Sequence, residues 1–174
     1  EFLVREQVHI KFDFPFRLSG GDKTRWEQAG YRDAKFKEAA KAVAQVIKAI
    51  DADVISLVEV GNERDVEELR AEVANVGLSY PHWAVCDSQD YTTGQHVAVL
   101  SKRSIEVRAR VISGRESYDT ELDDPESEEE TGISKGLHVS FEAAGQPVHL
   151  FVVHLASERG GHEQDAQRIA QASI

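Results

Sequence analysis

A single cysteine, Cys86, is the whole thiol content of this chain, and methionine is absent. One cysteine excludes an internal disulfide framework and a thiolate zinc site, and it leaves the compartment undecided. Cys86 itself reads as a small buried strand residue. Long apolar runs are missing too. Ala52 to Val60 is among the longest and is interrupted by Asp53. That is far short of the roughly 20 apolar residues a membrane-spanning helix needs, so no membrane span is expected. No secretory pattern of charge, apolar run and cleavage site opens the sequence. There is no HExxH, no glycine-rich phosphate loop and no GxSxG elbow. A serine hydrolase, a P-loop enzyme and a Rossmann oxidoreductase are therefore unsupported. The lack of methionine with a start at Glu1 points to a chain produced by processing or cutting.

What is present suits one soluble globular domain. The chain has 174 residues, 41% of them hydrophobic and 29% charged, which is the range of a soluble globular protein and not of a disordered or collagenous one. The net charge of −11 is uneven. Eight acidic residues between Asp119 and Glu130 account for all but −3 of it. The stretch 114–132 is expected to be an acidic surface loop, since it lacks the regular ligand spacing and glycine of a calcium loop. With that loop set aside, the charge does not exclude a phosphate-bearing substrate. No basic stripe argues for nucleic acid by itself.

Periodicity orders the rest. Val8 to Phe14 alternates and reads as a strand or extended entry segment, followed by a polar loop from Ser19 to Thr24. Tyr31 to Ile50 is helical, with Phe36, Ala40, Val43, Ile47 and Ile50 as its apolar stripe. Val54 to Val60 has the length and composition of a strand buried on both faces. Asn62 to Val76 is a second amphipathic helix, with Asn62 as N-cap, Asp65 at N3 and Gly77 as its stop. The period then shortens. His82 to Asp87, His96 to Lys102, Ile105 to Ile112, Gly136 to Phe141 and Val148 to Ser157 read as strands, with Gly145-Gln146-Pro147 as a hairpin connection. Glu163 to Ile174 reads as a helix. The fold class is mixed α/β with a largely antiparallel second part.

Three features could carry chemistry. Glu59 ends the apolar stretch Val54-Ile55-Ser56-Leu57-Val58. A carboxylate there is costly unless paired, solvated or metal-bound, and it could serve a hard cation such as magnesium or simply open a loop. His154 interrupts Leu150-Phe151-Val152-Val153 near Ser157, Arg159 and two glycines. It could be a strand histidine satisfied by a carbonyl, or a proton donor or phosphate contact. Thr93 to Ser101 leads small and polar residues, His96 among them, straight into a buried strand.

Taken together and in order, these three elements resemble the endonuclease/exonuclease/phosphatase family, the DNase-I-like fold. Asp53 to Val60 is similar to its A-D-I/V-I/V-x-L-x-E-V/I strand, placed as there behind a helix. Thr93 to Ser101, continuing through Lys102-Arg103-Ser104-Ile105, resembles its G-x-x-V/A-A-V/I/L-L-S-K/R-x-x-I/V segment. Phe151 to Ser157 resembles its F/V-x-V-x-H-L-x-S strand, and Arg168 and Gln171 fall where R-x-x-Q follows. The resemblance spans roughly Asp33 to Ile174. It implies the N-terminal portion of a four-layer α/β sandwich. It also implies a phosphodiesterase or nuclease that needs magnesium or manganese. Glu59 would bind the metal and His154 would contact the scissile phosphate or protonate the leaving oxygen. His96 and Arg159 are the accompanying substrate-binding candidates. A phosphoester, nucleic acid included, would be the substrate.

The chain also departs from the family. The family's initial Asn-bearing strand, its later G-D-x-N and its S/T-D-H do not occur, and Ala156 stands where a basic residue often follows His-Leu. The expectation is one partial domain over 1–174, with little hydrolase activity and marginal stability of its own. Two readings remain open beside nuclease-type hydrolysis. One is a phosphomonoesterase acting on a lipid or nucleotide. The other is a non-catalytic binding module on the same fold.

Overall fold

The computed structural model describes residues 31–88, 94–120, 128–156 and 161–174, with side chains from residue 37 onward. The strand expected at Val8 to Phe14 and the loop at Ser19 to Thr24 lie outside these residues. Helix α1 runs Tyr31–Ile50, as its periodicity predicts. Its buried stripe differs by one row. Ala40, Ala44 and Ile47 are buried and Val43 packs beside them, whereas Ile50, expected in the stripe, is exposed at the last turn. Strand β1 (Val54–Val60) follows, then helix α2 (Glu63–Asn75). Asn62 caps α2, its side chain accepting from the Asp65 amide at 3.3 Å. That bond satisfies one of the orphan donors of the first turn. Val66, Leu69 and Val73 form the helix's buried face.

Strands β2 (His82–Val85) and β3 (His96–Ser101) join β1 in a three-stranded sheet of order β1-β3-β2, every pair antiparallel. β1 was expected to be buried on both faces. Among the described residues it is instead an outer strand of this sheet, and Val58 is exposed. Central β3 is the strand with two dry faces. Ala98 and Leu100 pack with Ala40, Ala44 and Ile47 of α1 and with the buried face of α2. Val97 and Val99 point the other way, toward a second sheet. This alternation is the period-2 geometry of a strand.

The second sheet has the order β4-β7-β8, built from β4 (Glu106–Ala109), β7 (Gly136–Ala143) and β8 (Gln146–Val153). Leu137, Val139 and Val152 form its inner face, against Ala84, Cys86, Val97 and Val99 of the first sheet. Helices, sheet and sheet are thus three successive layers of an α/β sandwich. The outer face of the second sheet leaves Phe151 at 58% exposure, with His138 stacked on it. β7 and β8 are joined by Ala144-Gly145, both at positive φ (51° and 73°). This is the backbone of a two-residue type I′ hairpin turn, whose twist suits the flanking strands. Gln146 and Pro147, expected in the connection, already pair with Ala143 and Glu142.

The acidic stretch 114–132 is also more ordered than a loop. Its described parts contain β5 (Glu116–Asp119) and β6 (Glu128–Thr131), which pair antiparallel. The inward row of this ribbon, Tyr118 and Thr131, is buried while its carboxylates stay exposed. Helix α3 (His162–Ser173) packs on the ribbon.

Leu137 is fully buried between the sheets and Phe151 stands on the outer face. Leu137→Ala should cost about 3 kcal/mol through lost transfer energy and a residual cavity. Phe151→Ala should cost about 1 kcal/mol or less. Urea unfolding of the two variants checks this, and equal losses would contradict the assignment of the inner face.

Candidate active site

The carboxyl end of β1, the start of β3 and the carboxyl end of β8 come together at one rim of the two facing sheets. Glu59 reaches that rim through a defect in the ladder. Val58 pairs with Val97 and Val60 with His96, so Glu59 is an extra residue bulged out between them. Its φ is +58°, in the left-handed region. A bulge re-aims a side chain, and glycine is the usual residue at positive φ because a Cβ there costs about 1–2 kcal/mol. The carboxylate is held in this unfavourable backbone and stays more than half exposed. Strained backbone of this kind clusters at functional sites.

His154 arrives from the opposite sheet. β8 ends at Val153, so His154 stands one residue beyond the strand and not inside it. Its backbone still continues the ladder, its amide donating to the Lys135 carbonyl at 3.1 Å. Its Nε2 lies 3.7 Å from Glu59 Oε1, with about a quarter of the side chain exposed. The two residues read from sequence as the core of a site, 95 positions apart, are therefore neighbours in space. The separation is longer than a hydrogen bond, so the two groups adjoin without consuming each other.

His96 sits at the same rim as the partner of Val60, but its ring turns away from Glu59. Its Nδ1 is 3.2 Å from the Cys86 carbonyl and 3.9 Å from Cys86 Sγ. Arg159 lies outside the described residues. Cys86 is buried as expected, and burial pushes its thiol pKa up, which disfavours the thiolate form. Other motif residues are structural. Asp53 Oδ2 accepts from Arg103 Nε and Nη2 at 2.9 and 2.7 Å, and the Lys102 amide donates to the Asp53 carbonyl at 2.8 Å. These contacts clamp the end of the β1–β3 pair remote from Glu59.

The loop after His154 is held by a residue whose structural part sequence reasoning did not identify. Gln171 of α3 is buried; its Oε1 accepts from the Ala156 amide at 2.8 Å, and its Nε2 donates to Thr131 Oγ1 and the Gly132 carbonyl. One amide side chain thus ties the His154 segment to the β5–β6 ribbon. The R-x-x-Q resemblance marked Gln171 in the sequence but gave it no structural part.

Among the described residues no three His, Cys, Asp or Glu side chains cluster as a self-sufficient metal cage. Magnesium does not require one: it is commonly held by one or two carboxylates, with waters and substrate phosphate completing the shell. Glu59, an accessible carboxylate on a bulge, fits one such ligand. Because its backbone is strained, Glu59→Gly should stabilise the metal-free chain by about 1 kcal/mol, as relief of positive φ allows. Chemical denaturation without divalent ions measures this. A destabilised variant would show that Glu59 makes compensating contacts in the fold.

A sequence model of the Endonuclease/Exonuclease/phosphatase family matches residues 11–174. No curated protein matches the chain. Among solved structures, a beta-hairpin deletion mutant of beta toxin from Staphylococcus aureus is 20% identical, with a TM-score of 0.50, over 78% of this chain and 51% of that one. The F277A, P278A mutant of the same toxin, with bound magnesium ions, gives 18% identity, a TM-score of 0.49, and 77% and 49% coverage. Truncated TDP2 from Caenorhabditis elegans gives 20% identity, a TM-score of 0.43, and 74% and 43% coverage. The chain spans about half the length of these structures. On the extent of the family match, with mixed α/β layers and antiparallel sheets, this chain belongs to the endonuclease/exonuclease/phosphatase family and has its DNase-I-like fold.

Proposed function

We propose that this chain carries part of the active site of a divalent-metal-dependent phosphoester hydrolase, of the phosphodiesterase or nuclease type. The observation that carries the reading is the pairing at the rim. A bulged Glu59 at φ +58° lies 3.7 Å from His154, delivered by the other sheet. A carboxylate and an imidazole so placed suit a metal ligand and a group that donates a proton or hydrogen bond to phosphate.

Glu59 would hold magnesium or manganese, which when bound supplies charge stabilisation at the phosphoryl oxygens. His154 would donate from Nε2 to a phosphate oxygen or to the leaving oxygen. The Lys135 carbonyl fixes the His154 backbone, and Gln171 fixes the segment two residues on. His96 would shape the rim beside Val60, and Arg159 would contact substrate. No helix among the described residues is long and apolar enough to cross a membrane. The substrate class within this reading is a phosphoester, nucleic acid included, with a lipid or nucleotide phosphoester open beside it. The missing G-D-x-N and S/T-D-H motifs favour, for these 174 residues, metal and phosphate binding with little turnover. They equally suit a non-catalytic binding module.

Magnesium at about ten times its dissociation constant should raise the melting temperature by about 4 °C, since a ligand stabilises only the state it binds. Glu59→Gln should abolish the shift, and His154→Ala should keep it. The same chain should cleave bis(p-nitrophenyl) phosphate at no more than a trace rate. A shift that survives Glu59→Gln would remove Glu59 as the ligand. Robust magnesium-dependent cleavage would show that the motifs present suffice.

A further inference from the structure

The outer face of the second sheet carries a pair of histidines that the rim does not use. The β7–β8 register sets His138 opposite Phe151 and His149 opposite Ser140, so the two histidines are diagonal neighbours on one face. Diagonal positions on adjacent strands lie within reach of long side chains. Here the two rings meet. His138 Nε2 stands 3.0 Å from His149 Nδ1, with the ring centroids 5.2 Å apart. His149 is exposed and His138 half-buried.

The spacing decides what the pair can hold. Zinc binds imidazole nitrogen at about 2.0–2.1 Å, so two nitrogens on one ion stand about 2.9–3.3 Å apart for bond angles from square to tetrahedral. The observed 3.0 Å falls inside that range. The scaffold is also rigid. β7 is the central strand of its sheet, and the two-residue turn at Ala144-Gly145 fixes its register with β8. The His138 ring lies on Phe151, with 4.0 Å between centroids and 18° between planes. That stack holds the ring in place, so little rotamer freedom is lost when a ligand arrives.

Protons compete with a metal for imidazole lone pairs. Burial lowers the His138 pKa, and the charges of His149 and Arg108 act in the same direction. The ring is therefore neutral near neutral pH. Arg108 is itself engaged: its Nε donates to Ser140 Oγ at 2.8 Å, and its Nη2 pairs with Glu106 Oε2 at 2.7 Å. A hydrogen bond between the two rings needs a proton on one of the facing nitrogens. Moving that proton to the far nitrogen of the same ring leaves two lone pairs side by side, with no change of charge.

We propose that His138 Nε2 and His149 Nδ1 chelate one borderline divalent cation of the zinc class. Among the described residues no group of three His, Cys, Asp or Glu forms a metal cage, so water completes the shell. Imidazole suits zinc, nickel and copper(II), whereas magnesium and manganese prefer oxygen donors. The pair thus takes a different metal from the Glu59 rim, and it stands independently of the hydrolase reading.

Zinc chloride is the probe, titrated by calorimetry and NMR into the 174-residue chain carrying Glu59→Gln, which removes the rim carboxylate as a competing ligand. Zinc should shift the His138 and His149 ring signals together and to saturation. Magnesium at the same concentration should shift neither. His149→Gln should weaken zinc at least about tenfold and leave the His138 signals in place, since even the outer-shell partners of metal ligands are worth that much. His138→Gln should give the reciprocal result, and urea unfolding checks that both variants remain folded. Movement of only one ring, undiminished zinc affinity in either folded variant, equal shifts with magnesium, or no zinc binding at all would each overturn the proposal.

Discussion

The dry face shared by the two sheets sets the position of everything at the rim. Val97 and Val99 of β3 pack against Leu137, Val139 and Val152 of the second sheet, and all five are almost wholly buried. Burying such side chains contributes about 1.5–3 kcal/mol each, before the entropy of ordering the chain. The registers of β1–β3 and β7–β8 then decide which residues emerge at the edge. Glu59 and His96 come from one sheet, and His154 from the other. A slip of one residue in β8 would reverse every side chain on it and send His154 to the outer face beside Phe151. The site is a consequence of register, and register is a consequence of the core.

Against that rigid background Glu59 is the exception. It breaks its ladder, takes a positive φ without being glycine, and leaves a carboxylate facing out from the end of an apolar strand. None of these features serves packing. Together they aim one charged group at His154, and the cost in backbone strain is small beside what the core supplies. The opposite end of the same strand pair shows the contrast. There Asp53 and Arg103 neutralise each other and simply close the β1–β3 pair.

Much of this was legible in the sequence for physical reasons. Tyr31 to Ile50 and Asn62 to Val76 repeat apolar residues at helical spacing, and the Asn62 cap is a local signal needing no tertiary information. Glu59 and His154 stood out because each interrupts an apolar strand. What stayed hidden depends on pairing or on backbone conformation. The bulge at Glu59 exists only relative to β3. Ala144 at positive φ carries no turn signature. Asp119 to Glu130 suggests a solvated loop until Tyr118 and Thr131 are seen to anchor a ribbon under α3. His96 was read as a substrate contact, yet its ring is directed to the Cys86 carbonyl.

The central claim is that Glu59 and His154 form one cation and phosphate site, and manganese reports on it most directly. A bound paramagnetic ion broadens nearby proton signals, so substoichiometric manganese should broaden the His154 ring signals. Those of His138 and His149, paired on the outer face of the second sheet, should remain sharp. Glu59→Gln should leave all three sharp. Broadening confined to His138 and His149, or His154 broadening unaffected by Glu59→Gln, would contradict the account.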